Sequence, residues 1–452
     1  MSKTIKIKKG KDIKLVGVPE KITTNAQYSD YHTIKPVDFT GLTPKMVLKE
    51  GAVVKAGTVL FYDKNNEKIK FVSPVSGTLE EIQRGAKRKI LGVKIKADKE
   101  ISYEKNAVID PNSLSREELI DKMLEVGLWP MIRRRPFSTV ADPFEMPRDI
   151  YISCLDSAPL APSMGYLVKG NEAIFQAGLD ALVKLTNGKV YLGVDDSDRD
   201  NPFTQFKGVE FLNISGPHPA GNVGVQVHHH KPINQGEAIW YTYAQEILTI
   251  GKYFISGQYD ATRVIALTGS GVTSPKYYKT VLGAKISSIT DGQLKDGNYR
   301  VISGNVLTGQ KVNTDESVGF FDNQITVIPE GDQLKFFLTD GWLSPGLKKF
   351  SMSRSYPSWL MPNKTYDLDT NLNGEIRGFV MTGELEKVFP FDIYPMQLVK
   401  SIMANDIEAM EQLGIYEVDS EDFALPEVVC TSKINIQEIV KNGLEDLRKE
   451  LM

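Results

Sequence analysis

The hydrophobic period of this sequence changes near residue 110, and the change restricts the chain to a fold with at least two kinds of domain. Before it, short apolar runs such as 45–60 and 69–79 are punctuated by glycine. Such runs are typical of a small antiparallel barrel or sandwich. After it, Ser115 and Glu118 form a capping box, and apolar residues within 119–124 recur at helical spacing. The sequence therefore predicts a β-rich first domain and a helix-containing second one.

Strands and helices alternate from this point to about residue 260. Strand-like runs cover 149–155, 190–194 and 209–214, Asn171 is placed to cap an intervening helix, and we expect a further helix over about 236–254. Alternation of this kind predicts βαβ units in a parallel, doubly wound sheet.

The remaining chain supports two more domains, because single hydrophobic cores stop growing at about 250–300 residues and the chain has 452. After Gly269 the pattern is β-rich with many turn residues, and beyond Gly341 a Pro- and Gly-rich connector leads to helices predicted over 397–413 and 434–451. The predicted class is α/β multidomain. The expected domains are 1–105, 106–260, 261–340 and 341–452.

Cysteine and charge exclude several kinds of function. Cys154 and Cys430 are the only thiols, and they cannot supply the clustered thiolates of an iron–sulfur centre or a structural zinc site. The 54 basic and 57 acidic residues give a formal charge of −3, which does not favour nucleic acid as a partner. We therefore expect no metal site and no nucleic acid.

The sequence shows neither a signal peptide nor a membrane span, so we expect the chain in the cytoplasm. The basic N-terminus lacks the apolar run of about 7–15 residues that a signal peptide needs, and no window approaches the roughly 18 apolar residues of a membrane span. Any membrane association is expected to be peripheral.

An alternation of carboxylates imitates a calcium loop. Asp196, Asp198 and Asp200 alternate, but Asn201 and Lys207 occupy the positions where such a loop needs glycine and a bidentate glutamate. We interpret this stretch as a solvated loop.

Four of the five histidines fall in a short span. His218 lies in a Gly-Pro-His-Pro-Ala-Gly turn after a predicted strand, where a doubly wound sheet places its ligands. If 228–230 is an extended strand, His228 and His230 share one face and could both approach a ligand with His218. A site-forming loop and a purely structural turn both remain open.

Several long segments resemble the A subunit of the sodium-pumping NADH:quinone oxidoreductases. The resemblance runs through the β-rich first domain, whose 50–60 and 73–79 stretches look like a biotinyl/lipoyl-type barrel-sandwich hybrid, and covers nearly the whole chain. The other residues that carry it are 216–224, His228, Pro232, Trp240, 250–252, Gly257, 263–267, Gly283, Ala284, 300–309 and 341–346.

The resemblance implies a peripheral subunit on the cytoplasmic side of the bacterial inner membrane. Its complex oxidises NADH, reduces ubiquinone and expels sodium, with NADH, flavins and clusters handled by partner subunits, especially membrane-embedded flavin-bearing ones. We expect the isolated chain to be inactive. The implied architecture is similar to the flavin-binding subunit of respiratory complex I: a Rossmann-like core, a β-grasp ligand-binding domain and a C-terminal helical domain.

Two departures from the complex I-type pattern bear on cofactors. Where those relatives carry a glycine-rich flavin loop, 127–137 here holds bulky residues, and where cluster-bearing relatives carry a cysteine motif only Cys430 remains. We expect no flavin and no cluster in this chain. The arginines at 133–135 are expected on a loop that faces another subunit.

Three functional hypotheses follow from this resemblance. In the first, the chain helps to form the quinone-reducing site, with His218, His228 or His230 contacting quinone because histidine titrates near neutrality. In the second it is a purely structural scaffold of the same complex. In the third it is a cluster-less relative of the C subunit of the ferredoxin-linked ion pump.

Overall fold

The structure is a computed structural model that describes residues 3–197, 201–333, 335–336, 338–341, 343–352 and 354–451. Its first two strands do not belong to the domain that follows them. Strand β1 (Lys3–Lys6) and strand β2 (Glu20–Asn25) each join the edge of a sheet formed by later parts of the chain. The N-terminal segment therefore ties other regions of the molecule together.

The first complete domain consists of two small antiparallel sheets. One has the order β3-β9-β8-β5 and the other the order β4-β6-β7. Their inward residues, among them Leu60, Phe61 and Val93, are fully buried. The strands are β3 (Tyr31–Ile34), β4 (Pro44–Met46), β5 (Val53–Val54), β6 (Val59–Asp63), β7 (Asn66–Val72), β8 (Gly77–Arg84) and β9 (Ile90–Ala97).

The central domain is a six-stranded sheet covered on both faces. Its order is β1-β13-β12-β11-β14-β10, with every neighbour parallel except the antiparallel edge strand β10. Its elements are α1 (Arg116–Glu125), β10 (Arg133–Arg135), β11 (Ile150–Ser153), α2 (Met164–Val168), α3 (Glu172–Val183), β12 (Val190–Asp195), β13 (Glu210–Ser215), α4 (Val223–His230), β14 (Ile239–Tyr243) and α5 (Ala244–Ser256).

Alternate residues of these strands face two different cores. Ile150 and Ile152 pack with helices α1, α3 and α5, whereas Tyr151 between them packs with α4 and the C-terminal helices. Helices α3 and α5 approach closely, because a Cβ at Gly251 would lie 1.8 Å from the carbonyl oxygen of Ile174. The sheet is thus buried on both faces, as parallel sheets usually are.

A second six-stranded sheet follows, with the order β18-β17-β19-β15-β16-β2. Strand β2 from the N-terminus lies parallel to β16 at one edge, and the inner residues Ile265, Leu267 and Val327 are buried. The elements are β15 (Thr262–Thr268), β16 (Lys276–Val281), α6 (Ser287–Thr290), β17 (Tyr299–Ser303), β18 (Gln310–Lys311) and β19 (Gln324–Pro329).

The C-terminal region is helical. Its apolar residues, including Leu398, Phe423 and Val440, pack in one core with α4 and the adjacent face of the central sheet. The helices are α7 (Leu385–Val388), α8 (Pro395–Met403), α9 (Ile407–Gln412), α10 (Ala424–Val429) and α11 (Ile436–Glu450).

Two predicted helix boundaries were wrong. The helix expected over 236–254 begins only at Ala244, because the aromatic and β-branched residues before it form β14 beside β11. The helix expected over 397–413 is interrupted at Asn405, which has a positive φ of 53° between α8 and α9. Of the alternating aspartates, Asp198 and Asp200 lie outside the described residues.

The arginines at 133–135 form edge strand β10, so the prediction of a loop was wrong. Arg135 is 1% exposed and pairs with Asp422 at 2.9 Å and with Glu421 at 2.6 Å. Arg134 pairs with Glu145 at 3.3 Å. Arg135 thus forms ion pairs inside the chain rather than with a partner protein, because β10 faces the C-terminal helices.

Candidate functional site

Several residues that could contact a ligand lie at the carboxyl edge of the central sheet. Cys154 and Asp156 follow β11, Asp195 ends β12, and the turn 216–221 follows β13. Parallel strands bring these segments to one edge, which is where open α/β sheets bind their ligands.

A cleft of about 240 Å³ opens at this edge, between the central sheet and strand β16. Its apolar walls include Leu155, Met164 and Phe203, and its polar groups include Asp156 and Tyr277. A cavity of about 150 Å³ is known to hold benzene, so the cleft has room for one aromatic ring.

Burial shifts the pKa of three ionisable groups that line the cleft. Burial raises the pKa of the Cys154 thiol well above its usual value and also raises the pKa of Asp156, whose carboxylate accepts a hydrogen bond from the backbone N–H of Ala158 at 3.0 Å. Burial likewise raises the pKa of Tyr277, whose hydroxyl accepts from the N–H of Ser163 at 3.0 Å. The cleft therefore combines these hydrogen-bonding groups with the side chains of Lys21 and Asp195, which also line it.

His218 adjoins the cleft through Ser157, the residue next to Asp156. Its Nδ1 lies 3.1 Å from the Ser157 hydroxyl, which also accepts from the N–H of Gly221 at 2.7 Å. The backbone N–H of His218 donates to Asp12 at 2.9 Å. Ser157 thus holds the imidazole, and Asp12 holds the backbone of the same residue.

The second nitrogen of this ring, Nε2 of His218, is buried and has no hydrogen-bond partner among the described residues. Burial lowers the pKa of His218 to about 4. The ring is consequently neutral at neutral pH, so the expectation that it titrates near neutrality was wrong. It can offer a hydrogen bond but does not store a proton at pH 7.

The histidines at 228–230 lie on helix α4, so the prediction of an extended strand was wrong. The alternation of Val223, Val225 and Val227 imitates a strand, yet the connection from β13 to the parallel β14 requires a crossover, which is usually helical. Because α4 begins at the carboxyl edge and runs back along the sheet, it carries His230 to the opposite edge from His218.

His228 is engaged by the C-terminal region. The backbone N–H of Asp392 donates to its Nε2 at 3.0 Å, so Nδ1 carries the proton that is donated to Glu417 at 2.7 Å. The ring of Phe391 packs beside it at 5.0 Å. These contacts give His228 a structural connection to the C-terminal helices.

His230 is engaged by the opposite edge of the sheet. Its Nδ1 lies 3.0 Å from the hydroxyl of Tyr151, and its ring packs 4.3 Å from that of Tyr191. Burial lowers the pKa of His230 to about 4. The structure therefore does not bring the three histidines together.

The sequence analysis did not single out Asp156, Ser157 or Tyr277 as members of a site. Asp156 and Ser157 follow a buried strand that was recognised, so their position at the carboxyl edge was available as a signal. Tyr277 comes from the second sheet, and no local pattern indicates its approach to the cleft.

Two kinds of feature are absent from the part of the chain that the structure describes. There, no group of three or more histidine, cysteine or acidic side chains is arranged to hold a metal ion. No helix among the same residues has the length and apolar character required to cross a bilayer.

Bulky side chains of the stretch 127–137 fill the interior of the protein. Leu128 and Trp129 are fully buried, and the Trp129 indole N–H donates to the carbonyl oxygen of Ala141 at 2.7 Å. Gly127 has a φ of +74°, and a Cβ there would lie 2.4 Å from Val72.

Comparisons with known proteins agree along the chain. Residues 5–98 match the NqrA N-terminal barrel-sandwich hybrid domain, residues 114–259 the NqrA second alpha/beta domain, and residues 264–314 the NQRA C-terminal domain. The solved NAD+-reducing [NiFe]-hydrogenase in its air-oxidized state aligns with 68% of this chain and 55% of its own at 11% identity, but its TM-score of 0.33 is too low to support a conclusion.

Curated relatives match over nearly their whole length. The A subunit of the Na(+)-translocating NADH-quinone reductase of Pasteurella multocida is 35% identical over 99% of this chain and 100% of its own. The A subunits of Yersinia pestis, with coverage of 99% and 100%, and Rhodopirellula baltica, with coverage of 98% of each chain, are 34% identical. The chain belongs to the family of Na(+)-translocating NADH-quinone reductase A subunits.

Proposed function

We propose that this chain is a peripheral component of a membrane complex that couples NADH oxidation and quinone reduction to sodium export. Full-length similarity to the A subunits supports this role. The redox centres are assigned to partner subunits, so the isolated chain is inactive. We place it on the cytoplasmic side of the bacterial inner membrane, against the membrane-embedded flavin-bearing subunits.

The finer architecture belongs to the same proposal. The parallel sheet supports a Rossmann-like core over 106–260, and the mixed second sheet supports a β-grasp domain over 261–340. The boundary at 105 is kept for the barrel-sandwich domain, although β1 and β2 contribute to the other two sheets.

We further propose that the chain contributes to the quinone-reducing end through the cleft at the carboxyl edge. The observation that carries this proposal is the buried, unpartnered Nε2 of His218, whose ring bonds Ser157, the neighbour in the chain of the cleft residue Asp156. Such a group usually awaits a partner. Among the three candidates His218 ranks first, because His228 and His230 are engaged elsewhere.

The experiment is a calorimetric titration of the full chain with a short-tailed ubiquinone analogue. We expect saturable binding, weakened about fivefold to tenfold in His218→Gln, the loss expected for one hydrogen bond of about 1–1.4 kcal/mol. The matched control His230→Gln, at the opposite edge, should leave the affinity unchanged.

The scaffold hypothesis predicts a different result. If the full chain shows no saturable binding, or if His218→Gln and His230→Gln are indistinguishable, the quinone role of the cleft is wrong and the structural role in the same complex remains. Quinone turnover by the reassembled complex containing each variant gives an independent measurement of the same difference.

A further inference from the structure

A loop between the second sheet and the C-terminal helices differs in composition from the rest of the chain. Residues 341–364 contain four basic residues and no acidic one, although the whole chain has a formal charge of −3. The basic residues are Lys348, Lys349, Arg354 and Lys364. We call the described residues of 341–364, which leave out Trp342 and Ser353, the basic loop.

The basic loop folds back on itself. The N–H of Ser351 donates to the Ser358 hydroxyl at 3.0 Å, and that hydroxyl donates to the carbonyl oxygen of Ser351 at 2.9 Å. The ammonium group of Lys364 donates to the carbonyl oxygen of Leu347. These bonds hold the loop in a defined shape around a single 3-10 turn, Pro357–Leu360.

The base of the loop is anchored to the N-terminal segment. The N–H of Tyr366 donates to the carbonyl oxygen of Lys14 at 2.8 Å, and the rings of Phe350 and Tyr366 pack 5.5 Å apart. The Lys14 ammonium group reaches the side chain of Asn363 at 3.4 Å, which adds a fifth cation beside the loop.

The outer surface of the loop is apolar. Leu343, Leu347, Trp359 and Leu360 are 51–62% exposed. The Arg354 guanidinium lies 5.6 Å from the ring centre of Trp359. Large apolar side chains grouped on one exposed loop indicate a binding surface rather than ordinary surface composition.

Another exposed aromatic residue has a different electrostatic setting. Phe144 is 71% exposed, but Asp142 and Glu145 are close to it in the chain. Trp359 and Leu360, by contrast, lie in a stretch whose charged residues are all cations. The combination of tryptophan, leucine and uncompensated cations matches the chemistry of an anionic lipid surface.

We propose that the basic loop contacts the lipid bilayer, inserting Trp359 and Leu360 among headgroups while its cations face anionic phosphates. A bilayer accounts for both the apolar side chains and the cations of the loop. Amphipathic rings favour the headgroup region, and juxtamembrane cations favour anionic lipids. This contact goes beyond the proposed role in the complex, and it does not depend on quinone binding.

The test is co-sedimentation of the full chain with vesicles of phosphatidylcholine, with and without phosphatidylglycerol. We expect phosphatidylglycerol to increase binding and added salt to decrease it, because the attraction between exposed charges is screened. Lys348→Glu should lower the partition coefficient on the order of tenfold, since each cation contributes about fivefold. Trp359→Ser should lower it several-fold.

Two control variants match these changes elsewhere on the surface. Lys89→Glu reverses an exposed charge on the first domain, and Phe144→Ser removes an exposed ring; neither should change the partition coefficient by more than about twofold. Thermal melting of each variant checks that all four fold equally well, which surface substitutions normally allow.

Two outcomes would overturn the proposal. One is vesicle binding that is absent, or that the loop variants and the controls affect equally. The other is a full chain that ignores vesicles while the loop variants fail to co-purify with the partner subunits, since the loop would then be a protein-docking surface.

Discussion

Arg135 and Arg263 are both buried cations that join the central sheet to another part of the molecule, but their surroundings differ in charge. Arg135 on β10 is shared by Asp422 and Glu421 of the C-terminal region. Arg263 on β15 pairs with Glu246 of α5 at 3.4 Å and donates to Asn323 at 2.9 Å.

The two junctions therefore differ in the number of carboxylates for each cation. Burial alone would lower the pKa of both arginines, yet Asp422 and Glu421 raise the pKa of Arg135, whereas the pKa of Arg263 remains lowered. In the first junction, burial also raises the pKa of the Glu421 carboxyl to about 7. Arg135 has two carboxylates within ion-pairing distance, whereas Arg263 has one, Glu246, with Asp322 acting on it from farther away.

The largest effect is expected for Arg135→Met. The substitution leaves the buried Asp422 and the partly exposed Glu421 without their cation, and removal of one partner of a buried ion pair costs about 3–5 kcal/mol. We expect a value near the upper end, about 5 kcal/mol. Loss of this junction should release the C-terminal helices, which limited proteolysis followed by mass spectrometry detects as early cleavage after residue 380.

The neighbouring Arg134→Met is the matched control for that prediction. Arg134 and Glu145 are each 25% exposed at the side chain, and such partly exposed pairs contribute about 1 kcal/mol or less. If both variants are cleaved at the same rate, the junction does not hold the C-terminal helices.

A smaller loss of unfolding free energy is expected for Arg263→Met. It removes the cation 3.4 Å from Glu246, a longer contact than the 2.6 and 2.9 Å that Arg135 makes with its two carboxylates. We expect a cost near the lower end of the range, about 3 kcal/mol. Chemical denaturation monitored at Trp129 and Trp240, both buried in the adjacent core, measures it, and a loss as large as that of Arg135→Met would remove the contrast.

The smallest expected effect is a dependence of the free energy of unfolding on pH. Because the folded-state pKa of Glu421 is raised to about 7 from an unfolded value of about 4.3, the folded state binds more protons between these limits. The contribution of Glu421 is fully present below about pH 4.3 and is lost as the pH rises through about 7.

The variant Glu421→Gln cannot titrate and should remove this dependence. Relative to it, the wild-type chain should lose on the order of 1 kcal/mol between about pH 5 and pH 8, measured as the difference in thermal unfolding midpoints. Glu417→Gln, which alters the carboxylate at His228, is a control of similar position. An identical pH dependence for wild type and Glu421→Gln would show that Glu421 is ionised throughout.

Local signals in the sequence predicted the elements that depend on local physics. The capping box of Ser115 and Glu118 is present as predicted, with the two residues bonded reciprocally. The strands at 150–153 and 190–195 were recognised because both faces are buried and their apolar runs are continuous. Helix α4 was missed, since its alternating valines favour a strand and only the crossover between parallel strands makes them helical.

The sequence predicted where the candidate site lies, but not the protonation of its histidine. The turn that contains His218 follows a recognised strand, so its place at the carboxyl edge follows from the sequence. The neutrality of its ring does not, because burial comes from segments distant in the chain, namely Asp12 and Ser157.

The sequence by itself determined which chemical groups the chain can bring to its complex. It supplies only two thiols, Cys154 and Cys430, and a stretch of bulky residues over 128–137, because side-chain identity is fixed whatever the fold. The tertiary structure decided where those groups act. It enclosed Arg135 between two carboxylates and separated His218 from His230 across the sheet, since burial and pairing depend on contacts between residues far apart in sequence.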